Sequence, residues 1–197
     1  MDIHHVVWRN AMEMLYARGY ARENVRRVFL PTYTAAIATY DKKVDDATRV
    51  HGDLPHKTLV VMDCNEKVGI DTVRKVIHEL RTDIQAAILV IRNKITPFAQ
   101  QAIDTLRHCS EGYIEVFTFK HLHINICKHQ YIPIHHILSA EEKAEVSKRF
   151  SAKDAVFPKL IPTDPLVRYY GLAQGDMIKF VRKTGYETRV IYRVVGC

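Results

Sequence analysis

Five of the chain's 11 histidines and one of its four cysteines fall between Lys120 and His136, in "KHLHINICKHQYIPIHH". Histidine and cysteine are zinc ligands, and a His-x-His pair on a strand can hold one ion. Read as a strand, the stretch puts His121, His123, Asn125, Cys127 and His129 on one face. Leu122, Ile124, Ile126 and Lys128 take the other. Residues four apart on a strand lie about 13 Å from each other, so a complete ligand set needs donors from other elements. The sequence names no such donors. The competing reading is a strand with its isoleucines buried and its polar face partly solvated, and the sequence favours that one.

A second pattern is "RNKITP" at residues 92–97. Arg92 and Lys94 flank a strand-to-helix turn. Thr96 is an expected N-cap and Pro97 the first helical residue. The free N–H groups at a helix start carry partial positive charge, so the turn suits a phosphate. The plainer alternative is a capped turn with solvated cations. A Mg-dependent nuclease needs carboxylates to hold its metal. Arg92 stands where a carboxylate two residues before Lys94 would be required, and Asp63 alone, after its own strand, cannot hold a catalytic ion. No G-x-S-x-G, G-x-x-x-x-G-K or H-E-x-x-H occurs. The pairs His4/His5 and His135/His136 read as surface residues.

The elements that must position these residues follow from periodicity. "HHVVWRNAMEMLYARG" carries Val6, Val7, Asn10, Ala11, Met14 and Leu15 at helical spacing, with Gly19 as a stop. "YTAAIATY" is a second helical candidate, and residues 41–56 read as a polar loop. "KTLVVMDC", "AAILVI" and "GYIEVFTF" are strands. "GIDTVRKVIHEL" and "TPFAQQAIDTLRHC" are helices between them. That alternation predicts an α/β unit with a sheet covered on both faces. Past Pro133 the pattern changes. Ser139 and Glu142 form a capping-box signature. "DPLVRYYGL" reads as a short helix from Pro165 to Gly171, and the alternating runs around Gly185 as a strand pair.

The 197 residues suit one large domain or two small ones. The boundary is expected near residues 132–138, giving domains 1–134 and 135–197. Net charge is +7, spread over both parts, which permits a polyanionic partner without identifying one. No apolar run approaches the roughly 20 residues of a membrane span, and no secretory signal is visible. Scattered cysteines without C-x-x-C suggest a reduced, intracellular setting.

With these residues in view, the chain resembles a known family. It is similar to the fifth-largest subunit shared by eukaryotic nuclear RNA polymerases, whose C-terminal part is like a small subunit of the archaeal RNA polymerase. The motifs that carry the likeness are Phe157-Pro158, Asp164-Pro165, Tyr169, Gly171, Gly175, Arg182 and Tyr192-Arg193. Asn125, Ile126, His129, Pro133 and His135 resemble the family's linker, and "RNKITPFA" its Asn-x-Ile-Thr-Pro-Ser-Ala loop. Phe98 replaces the serine of that loop. Near the C-terminus the family's glycine-arginine pair is lost or shifted to Arg189.

The resemblance implies an α/β N-terminal jaw domain with a nuclease-like core lacking catalytic residues, plus a small α+β C-terminal assembly domain. It implies a non-catalytic polymerase subunit, nuclear, without cofactor, metal or membrane. Its partners would be the largest subunit, other subunits and downstream duplex DNA. Arg92, Asn93, Lys94, Thr96 and Pro97 would lie near DNA, touching phosphate. Pro133, His135, Asp164, Pro165, Arg168, Tyr169, Arg182, Tyr192 and Arg193 would form the assembly domain and its interface. The rival is a stand-alone nuclease-like DNA-binding protein.

Overall fold

The computed structural model describes residues 3–20, 25–30, 33–39, 57–80, 84, 86–109, 113–151, 156–185 and 187–196. They form two compact units, one ending at Ile124 and the next resuming at Asn125. This division falls ahead of the expected 134/135 boundary, because a 3-10 turn at Ile126–Lys128 packs with the C-terminal elements.

The first unit begins with α1 (Ile3–Ala17), which buries Val7, Asn10, Ala11, Met14 and Leu15. Gly19 follows at φ 105°, the left-handed turn that a helix stop uses. A five-stranded sheet has the order β1-β2-β3-β5-β7. Its members are β1 (Val25–Leu30), β2 (Tyr33–Thr39), β3 (Lys57–Asp63), β5 (Ala86–Ile91) and β7 (Tyr113–Thr118). β3, β5 and β7 run parallel, and β1 and β2 add antiparallel. The parallel strands are joined by α2 (Ile70–Leu80) and α3 (Pro97–Cys109), and a two-residue ladder links β4 (Lys67–Val68) with β6 (Lys94–Ile95).

One sheet face presents Leu59, Val61, Ala87, Leu89 and Ile114 to Val73, Val76, Ile103 and Leu106 of α2 and α3. The opposite face meets the end of α1. There Tyr20 Oη lies 2.6 Å from Thr58 Oγ1 and Arg18 Nη2 lies 2.8 Å from Glu115 Oε2. Cover on both faces explains why β5 is buried at every position.

Two expectations fail here. "YTAAIATY" is strand β2, not a helix. Residues 34–38 ladder with β1 on one side and β3 on the other, and those two rows of backbone bonds outweigh alanine's helical propensity. The histidine-rich stretch is not a strand either. Phe119–Leu122 forms α4, where the Thr118 N–H donates to His121 Nδ1 at 3.2 Å. The 3-10 turn follows, with Asn125 Oδ1 accepting from the Cys127 N–H at 3.0 Å. The isoleucines do not share a buried face: Ile124 is 57% exposed and Ile126 half-buried.

The second unit has a four-stranded sheet of order β8-β10-β11-β9. Its strands are β8 (Ile134–Ile137), β9 (Lys159–Leu160), β10 (Met177–Thr184) and β11 (Glu187–Val195). The hairpin β10–β11 turns at Gly185, φ 56°. Helix α5 (Ala140–Arg149) starts with the reciprocal Ser139–Glu142 bonds that the sequence predicts. α6 (Pro165–Tyr170) ends at Gly171, φ 66°. Alternation splits the core into two layers. Ile137, Ile178 and Val195 pack with Val167 of α6, whereas Met177 and Val194 pack with Val146 of α5 and Phe157.

Candidate functional site

In the first unit, β5 delivers its chain to an exposed turn. Arg92, Asn93 and Lys94 are all exposed, Thr96 is half-buried and Pro97 exposed. Thr96 Oγ1 accepts from the Ala99 N–H at 3.4 Å, and its own N–H donates to the Val68 carbonyl at 3.1 Å. Pro97 opens the 13-residue α3. Phe98 beside it is 73% exposed, because its neighbour Ala99 faces the core.

The β4–β6 ladder adds a residue that the sequence reading did not select. Lys67 is the register partner of Lys94, and both are exposed while Val68 is buried. Arg92, Lys94 and Lys67 therefore share one edge of the fold. The signal that could have found Lys67 is the likeness of "KVGI" to "KITP": each sets a lysine and a β-branched residue just ahead of a helix. Asp63, which ends β3, is 1% exposed. Its Oδ1 accepts from the Asn65 N–H at 2.9 Å and its Oδ2 from the Thr72 hydroxyl at 3.2 Å. That carboxylate is a loop fastener. The exposed side chains of Arg92, Lys94 and Lys67 at this edge are all cationic.

In the second unit, the selected residues divide by role. Asp164 caps α6 through Oδ1, which accepts from the Leu166 N–H at 2.8 Å, and Pro165 is the first helical residue. Tyr169 is buried, edge-on to Tyr170 at 5.4 Å between centroids. His135 Nε2 lies 2.9 Å from the Tyr170 hydroxyl and Nδ1 lies 2.9 Å from the Pro133 carbonyl. Tyr192 packs on Phe150, centroids 5.8 Å apart. Arg168 is half-buried on α6. Asp164, Tyr169, Tyr192, His135 and Pro133 thus hold the unit together. Arg182 and Arg193 are exposed on the β10–β11 hairpin.

Cys127 joins the internal set. Burial pushes its thiol above the usual value, and a hydrogen bond with Tyr170 pulls the other way. Burial likewise raises the Tyr170 hydroxyl, with Cys127 adding to the shift. The histidines of the opening motif disperse. His121 bonds within its own turn, His135 bonds Tyr170, and His136 Nε2 lies 3.3 Å from Glu142 Oε2. Among the described residues, no three His, Cys, Asp or Glu side chains converge on a point that could hold a metal ion.

A family model described as RNA polymerase Rpb5, C-terminal domain, matches residues 124–195. The DNA-directed RNA polymerases I, II, and III subunit RPABC1 of Caenorhabditis briggsae is 30% identical over 202 residues, spanning 96% of this chain and 95% of that protein. The subunit of the same name from Caenorhabditis elegans is 33% identical over 148 residues, 74% of this chain and 69% of that protein. The DNA-directed RNA polymerase V subunit 5A of Arabidopsis thaliana is 29% identical over 202 residues, 98% of this chain and 87% of that protein. With similarity running through both units, the chain belongs to the RPABC1 (Rpb5) family of DNA-directed RNA polymerase subunits.

Proposed function

We propose that the chain is a non-catalytic subunit of nuclear DNA-dependent RNA polymerase, joining two tasks in one polypeptide. The first unit acts as a jaw near downstream DNA, on a nuclease-like core that has no catalytic residues. Its exposed edge of Arg92, Lys94 and Lys67, with Asn93, Thr96 and Pro97, meets phosphate oxygens. Such contacts are salt-sensitive and indifferent to sequence. The second unit, from Asn125 onward, is the assembly domain and docks on the largest subunit through exposed residues that include Arg182 and Arg193. Pro133, His135, Asp164, Tyr169 and Tyr192 keep that surface in shape.

The observation that carries this reading is the full-length similarity to a polymerase subunit, shared by both units. The chemistry at the strand edge supports it. The Asp63 carboxylate is occupied by Asn65 and Thr72, and cations stand where a magnesium-dependent nuclease needs acids. Affinity recovery of the chain from nuclear extract tests the proposal. Large polymerase subunits should accompany it, whereas a monomer that cleaves DNA with Mg²⁺ would establish the rival, nuclease-like reading.

A further inference from the structure

One face of the β10–β11 hairpin is unusually cationic for a paired surface. Arg182 stands directly opposite Arg189 in the antiparallel register. Like charges in that position destabilise a strand pair. Along β11 the same face continues through Ile191 to Arg193, each two residues apart. Phe180 lies across from Ile191. Arg182, Arg189, Ile191 and Arg193 are all exposed, and Phe180 is half-buried. Among the described residues, Glu187 supplies a counter-charge. Glu187 Oε2 accepts from Arg189 Nε at 3.0 Å, in an ion pair whose partners are 70% and 68% exposed. An exposed pair of this kind contributes little and exchanges readily with another acid.

We infer that this hairpin face binds an extended acidic segment of a partner polymerase subunit, with an apolar side chain between two carboxylates. The inference rests on the polymerase reading and names the chemistry of its partner. Arg189 and Arg193, four residues apart on a strand, are about 13 Å from each other. Carboxylates four residues apart on an extended segment match that distance, and the side chain midway between them meets Ile191 and Phe180. Arginine suits this task, since its planar fork takes a carboxylate through two parallel bonds. A carboxylate between Arg182 and Arg189 also removes their repulsion, so the pairing that weakens the isolated hairpin favours the occupied one. The apolar centre favours a polypeptide over nucleic acid, whose backbone offers phosphate without an apolar group between.

The test is site-specific photocrosslinking in the assembled enzyme. A tagged full-length chain with Ile191→p-benzoylphenylalanine is expressed, recovered with its partners, irradiated and mapped by mass spectrometry. The expected product is one polymerase-subunit peptide with Asp or Glu on both sides of an apolar residue. Arg182→Ala with Arg189→Ala should reduce that crosslink and the co-recovery of the subunit about tenfold or more at 150 mM salt. Circular dichroism of the purified variant checks that it folds. A crosslink to DNA, to a segment without acids, or to nothing while the subunits are still recovered would overturn the inference and leave the polymerase reading standing. Failure of the unsubstituted chain to recover any polymerase subunit would instead overturn that reading itself.

Discussion

His135 Nε2 sits 2.9 Å from the Tyr170 hydroxyl while His135 Nδ1 sits 2.9 Å from the Pro133 carbonyl oxygen. A carbonyl can only accept, so in the neutral ring Nδ1 carries the proton and Nε2 accepts from Tyr170. The pair fastens strand β8 to helix α6. Tyr170→Phe should lower stability by about 1–2 kcal/mol in urea denaturation, because it strands a half-buried ring nitrogen. Unchanged stability would contradict the network.

The Arg18–Glu115 ion pair closes the opposite face of the first sheet, with the two side chains 9% and 10% exposed. Arg18 also lies 5.9 Å from the centroid of the Phe117 ring. Glu115→Ala removes the carboxylate from a buried guanidinium and should cost about 3–5 kcal/mol. Arg18→Met combined with Glu115→Leu should recover most of that loss. Chemical denaturation of the full chain measures both, and a single-variant cost under about 1 kcal/mol would show that the pair is not what joins α1 to β7.

Glu142 supplies a pH dependence. The Ser139 N–H bond holds its carboxyl below the usual value, and His136 adds to the shift. A depressed folded value means stability that is present above the unfolded carboxylate range, near about pH 4.3. It is lost as pH falls through the lower folded value. The side chain is 47% exposed, so solvent screening keeps the contribution to a few tenths of a kcal/mol. Glu142→Gln should flatten this part of the acid limb of a stability-versus-pH curve. An unchanged limb would show that the capping box gives no charge-dependent stability.

Much of this could be read from the sequence wherever local pattern and tertiary demand agree. Ser139 and Glu142 announce a capped helix, and Asp164, Pro165 and Gly171 mark both ends of α6. The continuous apolar run at Ala86–Ile91 is legible as a fully buried strand. Residues 33–39 were not legible, because a strand laddered on both sides tolerates alanines that locally favour a helix. The histidine stretch misled because alternating apolar and polar residues suit a strand, while Thr118 and Asn125 instead start short helical turns. Lys67 became a candidate only through a ladder with Lys94, a pairing across 27 positions that no local pattern encodes.

The cationic edge of the first unit makes a salt-dependent prediction. Lys67→Ala, Arg92→Ala and Lys94→Ala should each weaken crosslinking of the assembled enzyme to downstream duplex DNA. Each should also reduce the slope of log affinity against log salt by up to about 0.9, the value for one lost phosphate contact. Subunit recovery should not change. Unaltered crosslinking and slope in the triple variant would place DNA elsewhere.

The central claim is membership of a working polymerase, and one measurement addresses it directly. An affinity-tagged chain is purified from nuclear extract at moderate salt, and its companions are quantified by mass spectrometry. The account predicts the large subunits of DNA-directed RNA polymerase at near one-to-one stoichiometry with the chain, and the identity of those subunits reveals which polymerase it serves. Recovery of the folded chain by itself, without any polymerase subunit, would contradict the account.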